Sequence, residues 1–231
     1  MRALIVAAGY GSRLRAVSPS KPLTAVAGVP LIARVISAAR AGGATGFTVV
    51  TGHEADAVES YLHALDPAIS CVRTADWSLA NGHSVLSGAD AIGPERHLLM
   101  MADHLFDPAI VRCAIAAPDA PLTLAIDRRL DNPLVDLDDV TRVRTDGDAI
   151  VAIGKHLSDY DAFDCGVFAV DGRFHDALRA SIAAGGGGSI SAGVQALATN
   201  RAARITDIGD AWWLDVDDPK ALEQAEAALA A

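Results

Sequence analysis

The first half of the chain alternates short apolar runs with amphipathic segments, a pattern typical of buried parallel strands joined by helices. The strand-like runs cover residues 2–8, 47–51, 69–73 and 97–102. One helix-like segment begins at Pro30, and two others cover residues 55–65 and 84–91. This order predicts an α/β fold with a Rossmann-like, mostly parallel twisted sheet that is flanked by helices.

The pattern changes after about residue 121. Further strands are predicted at residues 122–126 and 165–170, and an Ala-rich helix at residues 218–230. Residues 140–144 and 149–153 flank the turn 145–148 and predict a β-hairpin insertion. Four glycines at positions 185–188 indicate a surface linker or a mobile lip over a site. No repeat or second domain emerges, so residues 1–231 are expected to form a single domain.

Charge and composition narrow the class of protein. The chain has 231 residues, of which 51% are hydrophobic, and a net charge of −10. An acidic surface argues against nucleic acids and anionic membranes as partners. The N-terminal apolar run is too short for a signal peptide, and no stretch approaches a membrane span. Three widely spaced cysteines favour reduced, buried thiols. We therefore expect a cytoplasmic protein without membrane insertion.

A glycine loop follows the first strand. Gly9 and Gly11 would let backbone N–H groups approach a polyphosphate closely, because no Cβ intrudes there. The loop fails the dinucleotide fingerprint, since Leu14 stands where the third glycine is needed, and it lacks a Walker Gly-Lys-Ser/Thr sequence. Arg13 and Lys21 follow in the same loop and could clamp triphosphate oxygens. Two solvated cations beside an ordinary turn remain the alternative.

Two groups of aspartates are candidates for holding Mg²⁺, which prefers one or two carboxylates together with phosphate oxygens and water. Asp103 ends the strand at 97–102, at the edge where ligands bind in open parallel sheets. Asp107 precedes Pro108 and suits a helix cap better, which frees Asp103. Asp215 and Asp217 share one face if residues 213–217 form a strand, whereas Asp218 precedes Pro219 and is expected to cap the last helix.

Two further motifs have both a binding and a structural interpretation. Asn81, Gly82 and Ser84 could approach a nucleobase, or could form a turn and a helix cap. Lys155 could hold an acceptor phosphate, or could be a solvated lysine at a strand end. Physical reasoning from the residues leaves these alternatives open.

Taken with Gly28-Val29-Pro30-Leu31, these motifs resemble, in type and order, those of the sugar-phosphate nucleotidyltransferase family. The resemblance runs nearly end to end and is greatest to the CTP:inositol-1-phosphate cytidylyltransferases. It implies a glycosyltransferase-A-like fold that binds CTP, a small phosphate monoester and Mg²⁺. The chain departs from the family at Ser20, where a proline usually precedes the lysine, and in the glycine run at 185–188.

The resemblance implies a role for each candidate residue. The glycine loop would wrap the triphosphate, Arg13 and Lys21 would be catalytic, and three aspartates would hold the metal. The implied nucleotide-binding residues are Ala7, Ala8, Gly9, Gly11, Ser12, Asn81, Gly82 and Ser84. The implied acceptor-binding residues are Asp127, Arg128, Lys155 and Asp164. The implied metal ligands are Asp103, Asp215 and Asp217.

The implied reaction is direct in-line attack of inositol 1-phosphate on the α-phosphorus of CTP, which gives CDP-inositol and pyrophosphate. An ionised phosphate is already a nucleophile, so neither a covalent intermediate nor a general base is needed. The product would feed a membrane synthase on a separate chain, and the hairpin at 140–153 would belong to the acceptor pocket or to a homodimer contact. The alternatives are a sugar-1-phosphate uridylyl- or thymidylyltransferase, a phosphocholine cytidylyltransferase, or a non-catalytic nucleotide-binding regulatory module.

Overall fold

The structure, a computed structural model, describes residues 1–230. The strands, in chain order, are β1 (Arg2–Ala7), β2 (Ala25–Val26), β3 (Val29–Pro30), β4 (Gly46–Thr51), β5 (Ser70–Arg73), β6 (His97–Met101), β7 (His104–Phe106), β8 (Leu122–Asp127), β9 (Arg142–Asp146), β10 (Ala149–Gly154), β11 (Ala162–Val170), β12 (Ala203–Asp207) and β13 (Trp213–Asp215). The helices are α1 (Leu31–Ala41), α2 (Ala55–Leu65), α3 (Asn81–Ile92), α4 (Pro108–Ala116), α5 (Gly172–Ala183), α6 (Ile190–Thr199) and α7 (Pro219–Ala230).

Within residues 1–230, nine strands form one mixed sheet in the order β5-β4-β1-β6-β11-β8-β12-β10-β9. The first four strands of this order pair in parallel, as the sequence predicts. From β11 onward most pairings are antiparallel, and only β8 and β12 are parallel neighbours. The predicted hairpin is formed by β9 and β10, and it extends the edge of the main sheet.

Both faces of the sheet are covered by helices, which explains the unbroken apolar runs of the central strands. Along β1, Ala3 and Ile5 pack into one core with α1, α2 and α4, while Leu4 and Val6 pack into the other core with α3, α5 and α6. This alternation is the period-two geometry of a strand that is buried on both sides. The result is a three-layer α/β arrangement that leaves the carboxyl edge of β1 and β6 open.

A second, two-stranded sheet determines where the predicted metal ligands lie. Strands β7 and β13 pair antiparallel, with Asp215 opposite His104 in the register. The backbone N–H of Val216 donates to the carbonyl oxygen of Asp103 at 3.0 Å. These bonds bring the carboxyl end of β6 and the segment after β13, which are more than a hundred residues apart in sequence, to one place.

Several elements lie outside the sequence predictions. Strand β12 and helices α5 and α6 were not predicted, because their sequences mix apolar and polar residues without a clean period; α5 carries Arg173, His175 and Arg179 among its apolar positions. The caps agree with expectation: the side chain of Asp107 accepts from the N–H of Ala109 at 2.7 Å, and Asp218 accepts from Ala221 at 2.8 Å.

The three cysteines are unpaired, but only Cys165 is fully buried, whereas Cys71 and Cys113 are partly exposed. Among the described residues, none of the helices combines the length and the apolarity that crossing a membrane requires.

Candidate active site

The glycine loop after β1 forms one side of a cavity of about 230 Å³. Gly11 adopts a left-handed backbone conformation with φ +61°, which disfavours side chains other than hydrogen. A Cβ on Gly11 would lie 2.5 Å from the Cβ of Lys21, so the lysine packs directly on this glycine. The residues that line the cavity are Val6, Ala7, Gly9, Gly11, Ser12, Arg13, Lys21, Pro22, Ala102, Asp103 and Asp217.

The two predicted catalytic cations point into this cavity and are held there by carboxylates. Lys21 Nζ lies 2.6 Å from Asp103 Oδ2 and also donates to Asp217. Arg13 donates to the other oxygen of Asp217. The substitution of the usual proline by Ser20 does not misplace Lys21, since the short 3₁₀ turn at Lys21–Leu23 still directs its side chain to Asp103.

The three predicted metal ligands fall into two neighbouring groups of possible ligands that share Asp215. Ligand atoms of Asp103, His104 and Asp215 lie within 4.8 Å of one another, and so do those of Asp139, Asp215 and Asp217. Within residues 1–230, Asp215 Oδ1 is buried and has no hydrogen-bond partner. Carboxylate oxygens are hard ligands, and the lone pairs of Asp215 Oδ1 are not used by a hydrogen bond. This donor set fits a divalent cation such as Mg²⁺.

Neighbouring charges set the ionisation of this group. Burial favours the neutral acid, but the Lys21 ammonium and His104 outweigh it, and the pKa of Asp103 lies well below its usual range. Burial also opposes the His104 imidazolium, but the surrounding carboxylates, Asp215 foremost, raise the pKa of His104 to about 9. Without a metal ion, Asp103 is therefore a carboxylate and His104 a cation at neutral pH.

His104 belongs to the site, although it was not among the predicted catalytic, binding or metal-ligating residues. Its Nδ1 lies 2.8 Å from Asp103 Oδ1 and 3.7 Å from Asp215 Oδ1, so it bridges the two carboxylates. Gly166 makes room for the ring, because a Cβ there would lie 2.3 Å from His104 Cδ2. On its sequence alone, His104 follows Asp103 in a short loop, and nothing distinguishes it from a packing histidine.

A second cavity of about 260 Å³ adjoins the first, and the two share Asp103 and Asp217. Its predicted members are Lys155, at the end of β10, and Asp164, on β11. Burial raises the pKa of Asp164 to about 6, although the N–H of Gly166 donates to its Oδ1 at 2.8 Å. The other polar residues lining this cavity are Asn81, His104, Asp136, Asp139, Thr141, Ser191, Asp215, Asp218, Lys220 and Gln224.

Asp139 is the most connected residue that the sequence prediction missed. It lies in the loop between β8 and β9, and its Oδ2 is 2.5 Å from Arg13 Nη2. Its other oxygen accepts from Lys155 Nζ. Burial opposes ionisation, but Lys155 and Arg13 outweigh it and lower the pKa of Asp139. No strand end or motif marks this residue in the sequence, since it stands among several aspartates of an irregular loop.

Two expected acceptor ligands lie elsewhere, and this corrects the sequence prediction. Asp127 is fully buried, and its oxygens accept from Arg129, Asn132 and the indole N–H of Trp213, the last at 2.9 Å. Arg128 lines neither cavity; it is on the surface and pairs with Asp161 at 2.7 Å. Asp127 is thus a structural carboxylate that positions Trp213, a lining residue of the larger cavity.

The expected base-binding motif is partly engaged in packing. Asn81 lines the larger cavity, but its Oδ1 accepts from the N–H of Ile190 at 2.9 Å. Gly82 lies beneath the glycine run, where a Cβ would be 2.4 Å from the carbonyl oxygen of Gly188. Ser84 is buried on α3. Ala8, another expected nucleotide-binding residue, has its carbonyl oxygen engaged, because it accepts from the N–H of His53 at 2.9 Å. Of the run at 185–188, only Gly188 is buried against this motif, and Gly185, Gly186 and Gly187 are exposed.

The fold and the junction of the two cavities define a class of protein, and the sequence comparison agrees with it. The family model of the MobA-like NTP transferase domain matches residues 3–137. The chain belongs to this family and is a nucleotidyltransferase.

More specific similarities cover nearly the whole chain. It is 34% identical over 229 residues to a protein of Rubrobacter xylanophilus named bifunctional IPC transferase and DIPP synthase, covering 97% of this chain and 51% of that protein. It is 30% identical to the CMP-5'-(3-aminopropyl)phosphonate synthase of Streptomyces rubellomurinus, covering 98% of this chain and 38% of that one. The chain thus spans about half the length, or less, of these relatives.

Among solved structures, the inositol-1-phosphate CTP transferase from T. maritima superposes with a TM-score of 0.88. The sequences are 22% identical, and the match covers 98% of this chain and 94% of that one. At this identity the similarity establishes the fold, which is that of an α/β nucleotidyltransferase.

Proposed function

We propose that this chain transfers CMP from CTP to inositol 1-phosphate and releases pyrophosphate. The junction of two cavities carries the proposal: one is lined by a glycine loop and cations, the other by hydroxyl-binding carboxylates and lysines. They meet at Asp103 and Asp217, where an attacking oxygen and an α-phosphate would be in contact. The names of the bifunctional relatives and of the T. maritima transferase support the choice of CTP and inositol 1-phosphate.

In this proposal the glycine loop binds the triphosphate. Gly9, Gly11 and Ser12 line the smaller cavity, where their backbone N–H groups would bind phosphate oxygens, and Arg13 and Lys21 line it with positive charge. Lys21 is best placed for the α-phosphate, because its ammonium lies at the boundary of the two cavities. Positive charge held at this point stabilises the transition state of in-line displacement by positioning and electrostatics.

Asp103 and Asp215, with Asp217 as a third ligand, would hold Mg²⁺. The ion would polarise phosphoryl oxygens and neutralise the charge that develops on the pyrophosphate leaving group. His104 Nδ1 is within hydrogen-bond distance of Asp103 Oδ1 and would hold this carboxylate in place, while Asp215 Oδ1 would remain free for the ion.

The acceptor is expected in the larger cavity. Lys155 would hold its phosphate, while Asp164 and Gln224 offer hydrogen-bonding groups to a polyol. Lys220 lines the cavity and, among the described residues, forms no ion pair, so it is a second cation available to the acceptor phosphate. The phosphate is itself the nucleophile, so none of these residues is required to remove a proton.

The test is pyrophosphate release with Mg²⁺, each of the four common NTPs and a panel of acceptors. The panel contains inositol 1-phosphate, phosphocholine, aminoalkylphosphonates and hexose 1-phosphates. We expect the highest kcat/KM for CTP with inositol 1-phosphate, no turnover after chelation of the metal, and loss of turnover in Asp103→Ala.

Each other outcome discards a defined part of the proposal. Turnover with a phosphonate or phosphocholine would retain CTP and reject inositol phosphate as the acceptor. Turnover with UTP or dTTP and a hexose 1-phosphate would reject both substrates. Binding of NTPs without turnover in any pair would favour the regulatory module.

The product of the proposed reaction is an activated inositol diphosphate ester. Its chemistry suits a second transferase that moves inositol phosphate to an alcohol and releases CMP. The expected membrane synthase on a separate chain remains a prediction, as do the homodimer and the cytoplasmic location. The bifunctional relatives are longer than this chain, which spans 33–51% of their length.

A further inference from the structure

One carboxylate joins the two halves of the candidate site. Asp139 binds Arg13 of the glycine loop with one oxygen and Lys155 of the hairpin with the other. Arg13 lines the smaller cavity and Lys155 the larger one, so Asp139 links a cation of each cavity, as Asp103 does for Lys21 and His104. The bridging side chain is 23% exposed and lies at the rim of the larger cavity.

In this arrangement the carboxylate pairs with two cations that the proposed function assigns to substrate phosphates. Both cations need a partner of negative charge, and Asp139 supplies it to both at once. An acceptor phosphate that approaches Lys155 must compete with a tethered carboxylate and is repelled by it. A triphosphate that takes Arg13 removes one of the two cations holding Asp139 and places further negative charge beside it. Both changes favour departure of the carboxylate from the site.

The loop that carries Asp139 is suited to such a movement. Its first part is fixed, because Asn132 donates to the buried Asp127 at 2.8 Å. Its end is fixed to the sheet, because the Thr141 carbonyl accepts from the Asp164 N–H at 2.9 Å. Between these anchors Asp136, Leu137 and Asp138 are exposed. The backbone N–H groups of Asp139 and Val140 both donate to the carbonyl oxygen of Asp136, so a rotation of the Asp139 side chain can release the bridge without displacing the backbone or the sheet.

We infer that Asp139 couples the two substrate sites: it blocks Lys155 until a nucleoside triphosphate binds Arg13, and its release then admits the acceptor phosphate. The inference rests on the proposed role of Lys155 in acceptor binding. It gives the reaction an order, nucleotide first, and it makes Asp139 a positioning residue that does not take part in the chemical step.

The first test measures the availability of Lys155 without any turnover. The chain has three lysines, Lys21, Lys155 and Lys220, so trace acetylation followed by mass spectrometry can follow each one. An ammonium held by a carboxylate reacts slowly. We expect Lys155 of the unliganded protein to react roughly fivefold faster in Asp139→Asn than in the wild type, the lower end of typical coupling between sites.

The matched control is Asp138→Asn. It removes the same charge from the adjacent residue, whose side chain makes no hydrogen bond or ion pair in the described part of the chain. We expect the wild-type rate at Lys155 in this variant, and an unchanged rate at Lys220 in all three proteins. Equal rates at Lys155 in Asp139→Asn and Asp138→Asn would overturn the inference.

The second test measures the coupling by calorimetry. Inositol 1-phosphate is titrated into the protein with and without a non-hydrolysable CTP analogue and Mg²⁺. In the wild type we expect the nucleotide to improve acceptor affinity about tenfold, and in Asp139→Asn we expect this factor to fall toward one. The same factor in both proteins would contradict the inference. If inositol 1-phosphate binds neither protein, the proposed substrate fails, and the labelling result alone decides the role of Asp139.

Discussion

The two halves of the candidate site are built in different ways. The nucleotide half comes mainly from one continuous segment, residues 7–22, which follows a single buried strand. In the proposed function it would bind with backbone N–H groups and two cations, Arg13 and Lys21. The acceptor half takes side chains from β11, the loop after β8, the hairpin β9–β10, and helices α6 and α7. Its shape therefore depends on how distant segments pack.

This difference predicts how each half tolerates change. The shape of a loop fixed by local geometry depends on its own backbone conformation and little on remote residues. A cavity assembled from many elements is sensitive to buried residues that never touch the substrate, such as Asp127. A change in the second half can thus alter what binds there while the first half keeps its shape.

The largest effect is expected at the junction of the halves. Asp103→Ala removes the carboxylate that binds Lys21 and is expected to hold the metal. We expect kcat to fall about 10³-fold or more, because several kcal/mol of charge stabilisation are lost. The measurement is pyrophosphate release at saturating substrates over a range of Mg²⁺ concentrations.

Asp107→Ala is the matched control for this change. Asp107 lies four residues further on and caps α4, so its loss should cost about 1 kcal/mol of stability without affecting turnover. Comparable loss of kcat in both variants would mean that Asp103 acts through the fold rather than through the chemistry.

The next largest effect tests the nucleotide half through its backbone. Gly11→Ala places a Cβ against Lys21 and imposes a left-handed conformation on alanine. We expect kcat to fall on the order of 10²-fold, since a displacement of about 1 Å in a catalytic group has such an effect. The steady-state kinetics with CTP measure this directly.

Gly28→Ala separates strain from misplacement. Gly28 has φ +76°, but within the described residues a Cβ there would meet nothing within 4 Å. The Gly28→Ala protein should lose about 1 kcal/mol of stability, because alanine is strained in the left-handed conformation, and should keep its turnover. If Gly28→Ala and Gly11→Ala were equally impaired in kcat, the packing of Lys21 on Gly11 would not matter.

A smaller effect on activity is expected when the acceptor half loses its buried support. Asp127→Asn weakens the bonds to Arg129, Asn132 and Trp213. We expect a loss of about 2–3 kcal/mol in the free energy of unfolding and a roughly tenfold higher KM for the acceptor, with the KM for CTP little changed. Urea unfolding and kinetics with each substrate varied in turn give both numbers.

Arg128→Ala is the neighbouring comparison. Its ion pair with Asp161 is exposed, so its loss should cost less than about 1 kcal/mol and leave both KM values near the wild type. A selective rise in the acceptor KM of Arg128→Ala would restore the original expectation that Arg128 binds the acceptor.

The same contrast explains what the sequence could predict. Gly9, Gly11, Arg13 and Lys21 were predictable because a strand, a loop and its cations lie close together in the chain. Asp103 was predictable because a strand end at the open edge of a parallel sheet faces the ligand. Asp139 and His104 carried no such signal, since their roles arise only when β7, β13 and the loop after β8 pack together. Asp127 was placed in the acceptor site by the family resemblance, which does not show that its carboxylate is buried beneath Trp213.

The smallest effect concerns Lys220, on the first turn of α7. It lines the larger cavity without an ion pair among the described residues, so an acceptor phosphate would gain a cation that is not already neutralised. Because the side chain is exposed, the interaction is worth about 1 kcal/mol, and Lys220→Ala should raise the acceptor KM roughly fivefold. The KM for CTP should not change, because the nucleotide cavity does not include this helix. Glu223→Ala, on the same helix but outside the cavity, provides the comparison, and an equal rise in both variants would assign the effect to the helix as a whole.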